Sequence, residues 1–281
     1  MAPLHLLYIS IPLVLTAVLY LIFRHRSAAT KWTLVFLLTL INATQHLLKP
    51  YIYPQYEGMS FGAMCTAYNM CALLILMSPI VMLVGSQLWR DFVLYIGAIA
   101  GIGSILTTYW LAAPMEEQIR FVICHGLLFV SSLLPALLGV YHANWRKFLK
   151  LPFVFFACLL ILIVSNIINY ELGIVGDVGD MTLGEFLYRE NPCWSMCPPA
   201  GYSFVTDLVK PFTPPIFLTA LGGVDTPIMW FFFPMIILFW VCGFFLGIIF
   251  DGKRMGRDFL SALKWIFRRN KKKHKIKGKK F

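Results

Sequence analysis

A cysteine and two histidines inside apolar sequence are the residues best suited to chemistry: Cys65, His46 and His125. A thiolate is a strong nucleophile, and an imidazole beside it lowers the cost of forming one. The thioester that follows can store an acyl group. Gln45, Asn69, Tyr109, Asn166, Asn169 and Tyr170 add amides and phenols that could line a pocket, orient an imidazole or hold an oxyanion. A plainer reading stands beside this one. A cysteine in a membrane span is often only packing, and Asn or Ser there commonly joins helices for about 0.6 kcal/mol each. The chain has no GxSxG elbow, no HExxH and no phosphate-cradling glycine loop. Two readings therefore stay open: acyl transfer or hydrolysis by a Cys–His pair, and a cavity that binds or transports a lipid or small solute without chemistry. Neither calls for a metal or cofactor.

Elements that could position these groups must work in lipid. The chain has 281 residues, 59% hydrophobic and only 13% charged, with mean hydropathy +0.75. Soluble domains carry about 25% charged residues, so most of this sequence needs a bilayer as its solvent. Seven apolar stretches are long enough to cross about 30 Å of hydrocarbon. They lie near 4–23, 32–48, 62–87, 93–112, 119–141, 151–170 and 227–249. The first lacks a basic leader, and Arg24 and Arg26 follow it, so it reads as a retained span rather than a signal peptide. The expected fold is all-α, a seven-helix transmembrane domain over 1–250 followed by a basic tail over 251–281.

The basic residues orient this plan. Twenty of the 24 Lys and Arg fall on one side of the seven spans; Lys49, Arg120, Arg189 and Lys210 fall on the other. The positive-inside rule makes the first side cytoplasmic, with the N-terminus outside, as in a multi-pass plasma-membrane protein. Rhodopsins share this plan but need a Schiff-base lysine in the last span, and 227–249 contains none.

With directions assigned, the polar residues gather at one depth. Asn42, Gln45 and His46 end the second span; Cys65, Tyr68 and Asn69 open the third. Thr107, Thr108 and Tyr109 end the fourth, Cys124 and His125 come early in the fifth, and Ser165, Asn166, Asn169 and Tyr170 end the sixth. Cys65 then lies about 5 Å and His125 about 9 Å below the outer boundary. Polar groups at membrane depth are costly and mark candidate sites.

The external segment 171–226 is long enough to act as a lid or binding element. It holds an amphipathic stretch, 181–188, and a short apolar piece from Phe212 to Leu221. It also holds Cys193 and Cys197, a disulfide candidate in an oxidising compartment and a weak metal signal, since structural zinc wants four ligands. In the tail, Met255, Phe259, Leu260, Leu263, Ile266 and Phe267 recur at helical spacing opposite Arg254, Arg257, Lys264 and Arg268. A polybasic run, 271–280, follows. This is the pattern of an interfacial helix held by anionic lipid headgroups, not of a nucleic-acid-binding arm.

Two segments carry a resemblance. Met64-Cys65-Thr-Ala-Tyr-Asn-Met-Cys, followed by Ala-Leu-Leu-Ile-Leu, resembles the third helix of YwaF-like bacterial integral membrane proteins, where Pro-Leu-His-Leu-Cys opens an apolar helix. Phe121-Val-Ile-Cys-His125-Gly-Leu-Leu resembles that family's Phe-x-x-x-His-Gly-Leu-Leu segment. That family looks related to the transmembrane protein 164 acyltransferases, which move fatty acyl chains between phospholipids using a Cys and a His. The resemblance covers roughly residues 30–172 and implies Cys65 as nucleophile, His125 as base and membrane phospholipids as substrates. Ala63 stands where the family has a second histidine.

Overall fold

The computed structural model describes residues 2–54, 57, 64–65, 67, 69–84, 86–107, 109–148, 150–174, 180–190, 211 and 236–277. Tyr68, Thr108, Cys193, Cys197, the 212–221 piece and the 227–235 start of the expected last span lie outside them, as do the side chains of Tyr109 and of residues 266–277.

The described residues are all-α. The long elements are α1 (Ala2–Phe23), α2 (Ala28–Leu47), α3 (Met70–Val84), α4 (Gln87–Leu106), α5 (Met115–Leu137), α6 (Leu151–Glu171), α7 (Leu183–Glu190) and α8 (Ile236–Lys277). Local sequence sets their limits. Ser27 caps α2 by accepting from the Thr30 amide at 3.2 Å. Past α5 and α6, Gly139 and Gly173 take φ values of +69° and +59°, the left-handed conformation that ends a helix and that glycine adopts without a Cβ clash.

Four helices, α1, α4, α5 and α6, are long and apolar enough to cross a membrane. That is the signature of a multi-pass membrane protein. Leu6, Leu7, Leu13 and Val14 on α1, with Phe153, Leu160, Ile161 and Val164 on α6, stand more than two-fifths exposed. An apolar surface of that extent fits lipid and not water. The membrane-length rod of α4 starts at Gln87 and ends at Leu106, where the hydropathy of the sequence suggests 93–112. Its first turns take in Arg90 and Asp91, and beyond Thr107 the chain continues as a 3-10 turn, Tyr109–Ala112. The α2 helix covers the expected second span, α3 the later part of the third, and α8 begins inside the expected seventh.

At the centre stands α5, 72% buried along its apolar window against 17% for α1. Its closest neighbour is α4, and two glycines set the approach. A methyl group at Gly101 would stand 2.7 Å from the His125 carbonyl oxygen and from the Phe129 amide nitrogen; one at Gly97 would stand 2.2 Å from Ser132 Oγ. The pair forms a G-x-x-x-G face, the pattern that lets two helices meet backbone to backbone in a membrane. The helices α1 and α2 run in opposite directions, as do α4 and α5. His5 Nε2 donates to the Ile105 carbonyl at 2.9 Å and Asn42 Nδ2 to the Cys124 carbonyl at 3.0 Å, which puts the start of α1, the end of α2, the end of α4 and the start of α5 together. At the opposite end, Lys31 Nζ donates to the Leu138 carbonyl at 3.0 Å and Gln87 Nε2 to Tyr141 Oη at 2.8 Å.

A break at Asp251 (φ −139°, ψ 26°) divides α8 into an apolar half and the basic tail helix. Asp251 accepts from the Trp145 amide at 3.1 Å. One turn and three residues later, Asp258 accepts from Trp145 Nε1 at 2.9 Å and from Arg146 Nε and Nη2 at 2.8 and 2.6 Å. The tail is therefore clamped to the Trp145–Phe148 turn.

Candidate functional site

The end of the bundle where α2 stops and α5 starts carries a group of buried polar side chains. His125 is 9% exposed, with its ring against Phe121 at 4.0 Å. Its Nδ1 lies 2.9 Å from the Phe121 carbonyl oxygen one turn back. A carbonyl only accepts, so Nδ1 carries the hydrogen and Nε2 keeps a lone pair, the form needed to take a proton.

His46 on α2 is 2% exposed, and neither ring nitrogen makes a hydrogen bond of good geometry, although the Met64 backbone lies within reach. Gln45 Nε2 donates to Asn42 Oδ1 at 2.6 Å, and Asn42 passes the link on to Cys124 of the histidine helix. The two histidine helices are thus joined by amides.

Around these rings stand charges that the hydropathy reading left at the rim. Arg120 is 7% exposed and paired to Glu117 by a two-pronged bridge, Nε to Oε2 at 2.6 Å and Nη2 to Oε1. Lys49 follows the end of α2. Burial, with Arg120 nearby, pushes its ammonium down to about 8. Both cations are near enough to act electrostatically on His46 and His125. Among the described side chains, two cations, Lys49 and Arg120, and one carboxylate, Glu117, therefore act on this end of the bundle.

The remaining expected residues divide. Cys65 is exposed, next to the buried Met64, and among the described residues it makes no hydrogen bond. Asn69 is exposed at the head of α3, where its Oδ1 accepts from the Ala72 amide at 3.0 Å, a capping role. Tyr170 Oη donates to the Met181 carbonyl at 2.6 Å and its ring meets Phe186 at 5.3 Å, which ties the end of α6 to α7. Asn166 and Asn169 are fully buried, and Asn166 Nδ2 donates to the Leu162 carbonyl at 2.8 Å. Their helix packs chiefly on α7, α8, α3 and the start of α4, away from the histidine helix. Tyr109 sits on the 3-10 turn after α4.

Lys49, Arg120 and Glu117 were the members of this site hardest to find from sequence, since each sits where hydropathy ends a span. No group of three His, Cys, Asp or Glu side chains among the described residues is arranged to hold a metal. No family model, curated protein or solved structure matches the chain.

Proposed function

We propose that this end of the bundle handles phospholipid: Lys49, Arg120 and His46 take the headgroup phosphate, and Cys65 with His125 acts on an acyl ester. The observation that carries the reading is that two cations, Lys49 and Arg120, act on an imidazole whose Nε2 is left as an acceptor. The chemistry closes without a cofactor. His125 Nε2 takes the proton from Cys65 Sγ, and the sulfur attacks the ester carbonyl. Collapse of the tetrahedral intermediate expels the lysophospholipid oxygen, which takes the proton back. The thioester then passes its acyl group to another hydroxyl, or to water. The resemblance to YwaF-like proteins and the transmembrane protein 164 acyltransferases supports the same assignment. So does the plan of seven passes with the N-terminus outside, which places the site in the outer leaflet beneath 171–226 and the basic tail on anionic lipid at the inner face.

A second reading has its own observation. Cys65 is exposed and makes no hydrogen bond among the described residues, as expected of a site that holds a lipid or small solute without attacking it. Phospholipid turnover by purified protein in vesicles separates the two. Acyl transfer predicts that Cys65→Ala abolishes turnover, and that Cys65→Ser lowers it by orders of magnitude. Turnover at the wild-type rate in Cys65→Ala would remove the catalytic assignment. Lipids still copurifying with that variant would then favour binding.

A further inference from the structure

One side of α8 grips the Trp145–Phe148 turn. A methyl group at Gly243 would stand 3.6 Å from Phe148 Cβ, and one at Gly247 would stand 3.2 Å from the Phe148 ring. Asp251 accepts from the Trp145 amide, and Asp258 accepts from the Trp145 indole and the Arg146 guanidinium. Residues 243, 247, 251 and 258 follow the spacing of one helix face. The grip therefore carries across the break at Asp251 and fixes the roll of the tail helix about its axis.

That roll decides what the tail presents. At about 100° per residue, Phe259, Leu263 and Leu260 stand about 100°, 140° and 200° round the axis from Asp258. Lys253, Lys264 and Arg257 follow at about 220°, 240° and 260°. Phe259 is 65% exposed and Leu260 57%, and the three cations are exposed as well. The side away from the clamp is thus an apolar strip with a basic edge.

Two features select the occupant. The strip begins about 12 Å beyond Asp251. The other side of that break is the apolar half of α8, where Phe244, Phe245 and Ile249 are more than half exposed and fit lipid. The charge on the strip also has one sign. Asp258 is the sole acid after Asp251 in the chain, and the clamp engages it. Anionic phosphates above an acyl layer complement both the apolar strip and its basic edge.

We propose that the clamped tail docks on the bilayer as a surface helix of fixed roll. Phe259, Leu260 and Leu263 enter the acyl boundary, and Lys253, Arg257 and Lys264 hold anionic phosphates. This rests on the tail's assignment to anionic lipid above, and adds the residues that touch the lipid and the clamp that aims them. The chemistry of Cys65 plays no part in it.

Hydroxyl-radical oxidation of the full chain in lipid nanodiscs, read residue by residue by mass spectrometry, tests the docking. Discs of phosphatidylcholine alone are compared with discs that also contain phosphatidylglycerol. Both faces of a disc carry the same lipid, so the result does not depend on which side the tail occupies. Phosphatidylglycerol should slow oxidation of Phe259 and Leu260 several-fold and leave Phe244 and Phe245 unchanged, and high salt should reverse most of the slowing. Arg257→Gln with Lys264→Gln leaves the clamp intact and should move the docked-to-free ratio at least about tenfold toward free. Cys65→Ala should behave as wild type, which separates this surface from the catalytic assignment. Equal oxidation of Phe259 and Leu260 in the two kinds of disc would overturn the proposal. So would protection by soluble polyglutamate but not by phosphatidylglycerol, which would assign the face to an acidic protein.

Discussion

Gly101 of α4 lies directly against the backbone of His125, with room for a hydrogen and no room for a methyl group. The histidine is therefore placed by a neighbouring helix that comes unusually near, as well as by its own hydrogen bond to Phe121. Gly101→Ala must push α4 from α5 and should cost about 1–3 kcal/mol, the usual range for overpacking. Gly103, two residues on, faces open space, so Gly103→Ala should be neutral or slightly stabilising. Thermal unfolding of the two variants in detergent checks the contrast, and equal melting temperatures would contradict this packing.

Lys49 gives the candidate site a pH dependence. Its ammonium titrates near 8 in the folded chain against an ordinary value of 10.5. Below about pH 8 the lysine is charged in folded and unfolded chains alike, and the folded state bears the cost of burying it. Between the two values the unfolded chain holds the extra proton, so this contribution to stability improves as pH rises. Affinity for a phosphate headgroup moves the other way and should decline as pH passes 8. Lipid-binding titrations at pH 7 and 9 measure this, and Lys49→Arg should flatten the profile because arginine stays charged.

The tail clamp makes a local prediction. Asp258→Asn leaves Trp145 and Arg146 without their shared carboxylate, so amide exchange across 252–265 should quicken relative to α5. The exchanged pair Arg146→Asp with Asp258→Arg should restore part of the protection. Unchanged exchange in Asp258→Asn would show that the contact does not hold the tail.

A capping box opens α7. Thr182 Oγ1 accepts from the Glu185 amide at 3.3 Å, and Glu185 Oε2 accepts from the Thr182 amide at 2.8 Å. The Thr182 amide and hydroxyl, both donating to Oε2, hold the Glu185 carboxyl below its usual range. Their contribution is present above the ordinary carboxylate pKa and is lost as pH falls through the depressed one. Thr182→Ala should fray α7 at neutral pH by about 1 kcal/mol, seen as faster amide exchange over 183–187.

Much of this was legible in the sequence, for stated reasons. The apolar runs mark α1, α5 and α6 closely because nothing but burial or lipid explains them. The start of α4 was harder. Arg90 and Asp91 look like a loop, yet Asp91 is fully buried, with its Oδ1 accepting from Gln87 one turn back and from Tyr141, distant in sequence. That His46 and His125 sit at the same end of the bundle follows from antiparallel spans, which sequence gives. Roles that depend on a partner's position do not follow. Asn69 looks like a pocket residue and is a cap; Tyr170 looks the same and is a strut to Met181. Lys49 and Arg120 look like boundary charges and stand among the buried rings.

Under the proposed function, Cys65 receives an acyl group with His125 as its base. Intact-mass measurement of purified protein after incubation with a phospholipid of defined acyl chains tests it most directly. The expected result is a hydroxylamine-sensitive adduct with the mass of one acyl chain, mapped to Cys65, absent from Cys65→Ala and formed at least about a hundredfold more slowly in His125→Ala. An adduct that forms equally fast without His125, or no adduct in a preparation that turns over phospholipid, would contradict it.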